Sequence, residues 1–488
     1  MADNLQQKTF SGMIWTFLKN FSLEGFAFIQ GIILARLLVP QDYGLIAMTQ
    51  IFFAISGAFI DSGFTSALTR KVNRTELDYS TVYVTNVCLT AFFALLLCLC
   101  SPWIADFYHE PILKKIVIAN AILLVLNSFN AVQGTRMTIN LQFKEKSIIS
   151  VIVNITIGIA TIIMAFMGYG VWALIYPNFL APVLYVILYH KYQHWFPKLQ
   201  FSWKIWKEFF AYGSNLLLSN LLNTTFSNIY PLVIGKFYSA TTLGYYSKAS
   251  GYAKLPAGTF QNVMGQVTFP ILCSIQEDEN RLRDAYRRLI RASAFIVFPM
   301  LVGLAALAKP FIIVLITEKW ATSIPYLQIL CFALMWYPVH ALNLNLLKVK
   351  GRSDLFLRLE IIKKIMSVCI LFISVPLGII YMCYGRVISS LIALFINTYY
   401  TGKLIQVGFL KQMKDLTPTL LYALSMGALV WFVIQWIPNM VLQIIIGILV
   451  GVVYYLGIAK LTKSADLEYA ILLLKENVIK RFKKANKS

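Results

Sequence analysis

Runs of about 20 mostly apolar residues recur from one end of this chain to the other, with short polar breaks between them. That length matches a helix crossing a hydrocarbon layer roughly 30 Å thick. Inside lipid a backbone must satisfy its own donors and acceptors, so only helices and closed barrels can span it. Barrel strands alternate apolar and polar residues, and segments 148–167 and 441–456 do not. The chain is therefore predicted to be an all-α polytopic membrane protein. Its 488 residues are 58% hydrophobic and 13% charged, too apolar to cover a water-facing surface.

About fourteen spans are expected, near 12–38, 43–68, 81–102, 116–140, 147–168, 171–190, 209–236, 241–272, 289–309, 322–347, 356–380, 384–406, 416–437 and 440–460. Shifting the chain by 200 residues places Phe10 on Phe210, Leu18 on Leu218, Asn20 on Asn220, Phe26 on Phe226, Ile29 on Ile229 and Gly44 on Gly244, with Arg36 on Lys236. The shift superposes span one on span seven. Met167-Gly168-Tyr169-Gly170, between spans five and six, finds a counterpart in Met382-Cys383-Tyr384-Gly385, read as lying between spans eleven and twelve. These matches predict two pseudo-symmetric six-helix lobes, 1–200 and 201–410, followed by two additional spans over 411–463 and a basic amphipathic tail over 464–488. The tail mixes Leu467, Ile471 and Leu474 with Lys475, Lys480 and Arg481, a pattern suited to anionic headgroups.

A net charge of +22 raises the question of nucleic acid, which the placement of the cations answers. They concentrate in every second break: Arg70, Lys71 and Arg74, then Lys144 and Lys146, then Lys191, Lys198, Lys204 and Lys207, with the same parity through Lys414. By the positive-inside rule both termini are cytoplasmic, and no nucleic-acid partner is needed to explain the charge. The seven cysteines lie mostly inside apolar runs without metal-ligand spacing and read as core residues.

No phosphate loop, zinc signature or nucleophile elbow is present, and the four histidines, His109, His190, His194 and His340, form no catalytic set. An enzyme is not expected, nor is a cofactor or metal. The informative residues are ionisable groups inside apolar spans, each costing about 2.5–3.5 kcal/mol at the bilayer centre on insertion scales. These are Lys19 and Glu24 in span one, Asp61 in span two, Lys248 and Lys254 in span eight, and Arg386 at the start of span twelve. Arg36 and Lys236 read either as structural anchors or as cavity cations, and Lys19 and Arg386 either snorkel or face a cavity. A lining of Lys19, Arg36, Lys236, Lys248, Lys254 and Arg386 would attract an anion such as phosphate or pyrophosphate. Glu24 and Asp61 are the candidate ion-coupling residues. Trp103, Trp195, Trp203 and Trp206 read as interfacial belt residues, whereas Tyr245, Tyr246 and Tyr252 could stack on sugars.

The string from Leu34 to Met48 (LARLLVPQDYGLIAM), Asp61-Ser62-Gly63-Phe64, Tyr246-Ser247-Lys248-Ala249 with Leu255-Pro256, Phe269-Pro270 before Ser274-Ile275-Gln276-Glu277-Asp278, and Glu318-Lys319-Trp320 resemble one family. It is the oligosaccharide flippase group of the multidrug/oligosaccharidyl-lipid/polysaccharide exporter superfamily, similar to its Wzx-type and teichuronic-acid-exporter-like members. The resemblance implies a two-lobe bundle in the bacterial inner membrane. It would translocate undecaprenyl-pyrophosphate-linked repeat units for O-antigen, capsule or exopolysaccharide assembly, by alternating access around a cationic cavity. The expected partners are the lipid-linked oligosaccharide, membrane lipids, a polysaccharide polymerase and a chain-length regulator. Lipid II flippases of the superfamily carry several arginines in their first two spans; Lys19 and Arg36 beside Glu24 and Asp61 depart from that pattern. The competing reading is a proton- or sodium-coupled drug or metabolite antiporter on the same scaffold, with Glu24 and Asp61 as its ion sites.

Overall fold

The computed structural model describes residues 2–61, 63–193 and 195–468, and all their regular structure is helical. His194 and the tail beyond Glu468 lie outside the described residues. The chain forms two compact units, Met1–Gly244 and Tyr245–Ser488. The first contains α1 (Ala2–Leu37), α2 (Pro40–Ile60), α3 (Phe64–Arg70), α4 (Glu76–Tyr108), α5 (Ile112–Ile139), α6 (Phe143–Phe166), α7 (Leu180–Gln193), α8 (Trp203–Ser227), α9 (Ile229–Phe237) and the first turn of α10 (Ala240–Ser274). The second contains the rest of α10, then α11 (Glu279–Ala306), α12 (Ala308–Ile316), α13 (Ser323–Leu334), α14 (Tyr337–Val349), α15 (Ser353–Ser374), α16 (Ile379–Ile405), α17 (Phe409–Ile434) and α18 (Met440–Leu461).

Ten helical stretches among the described residues are long and apolar enough to cross a membrane: α2 with α3, α4, α5, α6, α7 with the tight turns before it, α11, α13 with α14, α16, α17 and α18. Four further helices, α1, α8, α10 and α15, run 36, 25, 35 and 22 residues. Large apolar side chains stay exposed on α15, α16 and α18, as at Phe372, Phe395, Leu449 and Val453, where acyl chains rather than water must cover them.

Local chemistry sets the helix ends. Pro40 opens α2, with Asp42 Oδ2 accepting from the Val39 amide at 3.1 Å. Thr75 and Asp78 cap α4 reciprocally, the Thr75 amide donating to Asp78 Oδ2 at 2.7 Å and the Asp78 amide to Thr75 Oγ1 at 3.3 Å. Lys71 Nζ donates to Asp78 Oδ1 at 2.8 Å, and that bond holds the Lys71 ammonium above its ordinary pKa. Asn439 and Asp278 cap α18 and α11 through their carboxamide and carboxylate oxygens.

The 200-residue offset reappears in these ends: α1 stops at Leu37 and α9 at Phe237, while α2 starts at Pro40 and α10 at Ala240. α8 packs along α2 and α3, and α9 against α2, which is why they group with the first unit. At Gly44 an added Cβ would sit 1.7 Å from the Ala240 carbonyl oxygen, and at Gly244 it would sit 1.9 Å from that of Pro40. The opening turns of α2 and α10 thus touch backbone to backbone, with each repeat's glycine against the other's first helical residue.

Two expectations need correction. Span two is not continuous, because Gly63 at φ 82° breaks it into α2 and α3 and leaves Asp61 as the residue ending α2. The break between spans eleven and twelve comes earlier than expected, at Val375–Leu377 and Gly378 with φ 109°, where Pro376 cannot continue the helix. Met382 to Gly385 accordingly lie inside α16, unlike Met167 to Gly170, whose glycines take φ 81° and 54° in a turn.

Candidate functional site

Among the expected site residues, the second unit brings together Lys254 and Arg386. Tyr246 and Lys254 are two turns apart on α10, so both reach the flank of α16 that carries Arg386. Arg386 Nη1 donates to the Tyr246 hydroxyl at 2.6 Å, and Lys254 lies within electrostatic range of Arg386. Tyr246 is buried, Arg386 half-buried and Lys254 exposed. Because α16 begins at Ile379, Arg386 sits two turns into the helix instead of at its mouth. Pro256 follows one turn after Tyr252 and removes the amide that would bond its carbonyl.

Lys248 points elsewhere. Its ammonium stands 5.8 Å over the ring of Trp320, a fully buried residue in the tight turn after α12, with Tyr245 edge-on to the same ring. Tyr252 packs edge-on against Phe311, so these tyrosines are engaged with neighbouring rings.

In the first unit, Lys236 closes the last turn of α9 and donates to the Phe107 carbonyl oxygen at 2.6 Å, with its ammonium 4.6 Å above the Phe107 ring. That is a helix-end anchor, since Phe107 belongs to the final turn of α4, whose carbonyls carry negative partial charge. Arg36 is exposed at the equivalent place on α1. Glu24 is exposed midway along α1, and Asp61, also exposed, accepts from Thr65 Oγ1 at 3.3 Å across the break. Lys19 is half-buried on α1 and lies within electrostatic range of Lys146 on α6.

Trp195 departs from the belt expected of it. It is buried, donates from Nε1 to Glu76 Oε2 at 2.7 Å and, with Tyr79, flanks the Arg136 guanidinium, whereas Trp103 and Trp203 are exposed. Sequence reasoning also passed over a buried amide cluster in the second unit. Asn343 and Gln412 bond each other twice at 3.0 Å, and Thr401 Oγ1 donates to Asn343 Oδ1 at 2.7 Å. His340, between Ser390 and Asn397, lies one turn before Asn343 on α14. Neutral polar residues scattered among apolar ones give no local signal of such a network.

A family model described as polysaccharide biosynthesis protein matches residues 33–325. The teichuronic acid biosynthesis protein TuaB of Bacillus subtilis (strain 168) is 26% identical over 356 residues, covering 72% of this chain and 73% of that protein. The lipopolysaccharide biosynthesis protein WzxC of Escherichia coli (strain K12) is 23% identical over 397 residues, covering 81% and 80%. The lipid II flippase MurJ, solved in an inward closed conformation, shares the fold with a TM-score of 0.72 and 16% identity over 92% of this chain and 99% of that one.

Proposed function

Because the chain belongs to the polysaccharide biosynthesis protein family, we propose that it is a flippase, and that it turns undecaprenyl-pyrophosphate-linked oligosaccharide repeat units from the cytoplasmic to the periplasmic leaflet of the bacterial inner membrane. The polysaccharide served is an O-antigen, a capsule or an exopolysaccharide, and the partners in that pathway are a polymerase and a chain-length regulator. The names of TuaB and WzxC and the shared fold of MurJ support this reading. Movement is by alternating access of the repeated halves 1–200 and 201–410. Both termini are cytoplasmic, and α1, α8, α10 and α15 cross the membrane with the ten more apolar stretches.

The observation that carries the reading is Arg386, bonded to Tyr246 of α10 and within electrostatic range of Lys254 on that same helix. Two like charges held near each other repel, and a diphosphate between them turns that repulsion into attraction. Arginine offers a planar fork to phosphate oxygens, and lysine a compact second charge. A cationic drug would meet the same pair as a barrier. Lys236 anchors, Arg36 and Lys248 are further candidate cations for the anionic headgroup, and Glu24 and Asp61 are the candidate coupling carboxylates.

In a clean deletion strain, lipid-linked repeat units should accumulate on the cytoplasmic leaflet and surface polysaccharide should vanish. Wild-type protein should restore display, and a folded Lys254→Ala/Arg386→Ala variant should not. Normal surface polysaccharide in the deletion strain would remove the reading.

A further inference from the structure

A second group of cations stands in the first unit, where α1 and α6 run side by side in the same direction. Lys144 Nζ is 5.5 Å from the ring of Trp15. Further along, a Cβ on Gly158 would collide with Phe26, and Leu34 and Leu38 pack against Ala165. This register sets Lys19 beside the opening turns of α6, within electrostatic range of Lys146. Lys146 is half-buried and donates to Thr138 Oγ1 of α5 at 2.6 Å, while that hydroxyl donates onward to the Gly134 carbonyl oxygen at 3.1 Å.

One of the three Lys146 donors is thereby used, and the other two remain for a ligand. Among the described residues, no carboxylate forms an ion pair with Lys19, Lys144 or Lys146, Glu145 included. Three helices therefore converge on two ammonium groups whose mutual repulsion no ion-paired acid among the described residues offsets. Lys144 is exposed beside them, and Trp15 supplies the amphipathic ring favoured at a headgroup level.

We propose that Lys19, Lys144 and Lys146 form a binding site for a phosphate-bearing lipid headgroup, distinct from the Arg386 and Lys254 pair. The phosphate oxygens bridge Lys19 and Lys146, Lys144 closes the outer side, and the acyl or polyprenyl chain runs along α1 and α6. Two lipids carry this chemistry: a polyprenyl diphosphate arriving for translocation, and the phosphatidylglycerol of the surrounding leaflet.

The test is lysine footprinting of the purified full chain in neutral detergent, with acetylation rates read by mass spectrometry. Undecaprenyl diphosphate, phosphatidylglycerol and phosphatidylcholine serve as probes. Lys19 and Lys146 should acetylate at least fivefold more slowly with a phosphate-bearing headgroup than with phosphatidylcholine. Lys114 and Lys115 at the start of α5 are the internal control and should not change. Protection by undecaprenyl diphosphate at levels where phosphatidylglycerol has no effect assigns the site to the arriving substrate; equal protection assigns it to bulk lipid, and either result upholds it. A folded Lys19→Gln/Lys146→Gln variant should bind the protecting lipid at least tenfold more weakly. Unchanged acetylation of the wild-type lysines with both lipids overturns the proposal. Lys254→Ala/Arg386→Ala should keep the protection, so the two sites stand or fall separately.

Discussion

Replacing Gly44 or Gly244 by alanine should separate the opening turns of α2 and α10, and the geometry fixes how far. A Cβ at Gly44 would lie 1.7, 2.4 and 2.9 Å from the carbonyl oxygen, carbonyl carbon and Cα of Ala240. Ordinary contact starts at 3.4 Å, so the turns must part by at least 1.7 Å; the 1.9 Å approach of a Cβ at Gly244 to the Pro40 oxygen requires 1.5 Å. The obstructing atoms are backbone, which cannot rotate away as a side chain end can. Overpacking costs about 1–3 kcal/mol, and a backbone obstacle puts each single substitution near 3 kcal/mol. One separation relieves both clashes, so the double variant should also cost about 3 kcal/mol and not twice that. The assay is reversible unfolding in mixed micelles of Gly44→Ala, Gly244→Ala and the pair, with Gly457→Ala as control. Nothing lies within 4 Å of a Cβ at Gly457, and that change should stabilise α18 by about 0.5–1 kcal/mol. Wild-type stability of either single variant, or simple addition in the double, would refute the reasoning.

Three other outcomes are expected. Tyr246→Phe removes the acceptor of a charge-assisted bond of about 1.5–3 kcal/mol, so substrate binding should weaken in a ligand-binding assay and the unfolding midpoint should fall with it. Lys236→Met should lower the midpoint through the lost bond to Phe107 but leave lipid-diphosphate affinity unchanged. Asn343→Leu leaves Gln412 and Thr401 partly unsatisfied at about 1–3 kcal/mol, and adding Gln412→Leu should recover part of the loss in the same unfolding assay.

Much of this architecture is legible in the amino-acid string because lipid imposes a single rule on each apolar run, and the 200-residue offset survives as matched helix ends at Leu37 and Phe237. Hydropathy is silent where that rule is locally suspended. A single expected span over 43–68 runs through Ile60 to Phe64, yet the left-handed Gly63 interrupts it and moves Asp61 from mid-helix to a helix end. Lys146 reads as a loop cation beside Lys144, but α6 already starts at Phe143, and only the fold brings Lys19 across from α1. Arg386 and Lys254 stand far apart in sequence, so each alone could be read as an interfacial lysine or arginine. Only the fold brings them within electrostatic range. Lys236 shows the converse, since its partner is a backbone carbonyl, and every residue has one of those.

The last two helices are fastened in different ways, and that bears on which of them the bundle could lose. α17 docks on α11 through the fork of Arg287 on Asp415, at 2.7 and 2.6 Å, and carries Gln412 into the buried amide cluster. α18 and the residues just after it add the Tyr455 bond to the Phe295 carbonyl at 2.9 Å, the Tyr422 bond to Thr462 Oγ1 at 2.9 Å and the Arg291–Asp466 pair at 3.4 Å, with the close fit of Gly447 and Gly451 against Leu307, Ile434 and Val430. In water, stripping either helix would expose grease. In a bilayer, acyl chains would flow into the gap, and only polar partners and shape would be missed. A chain ending after α17 would lose the Arg291–Asp466 pair but keep the buried amide cluster, whereas one ending before it would strand Arg287 and Asn343 without their mates.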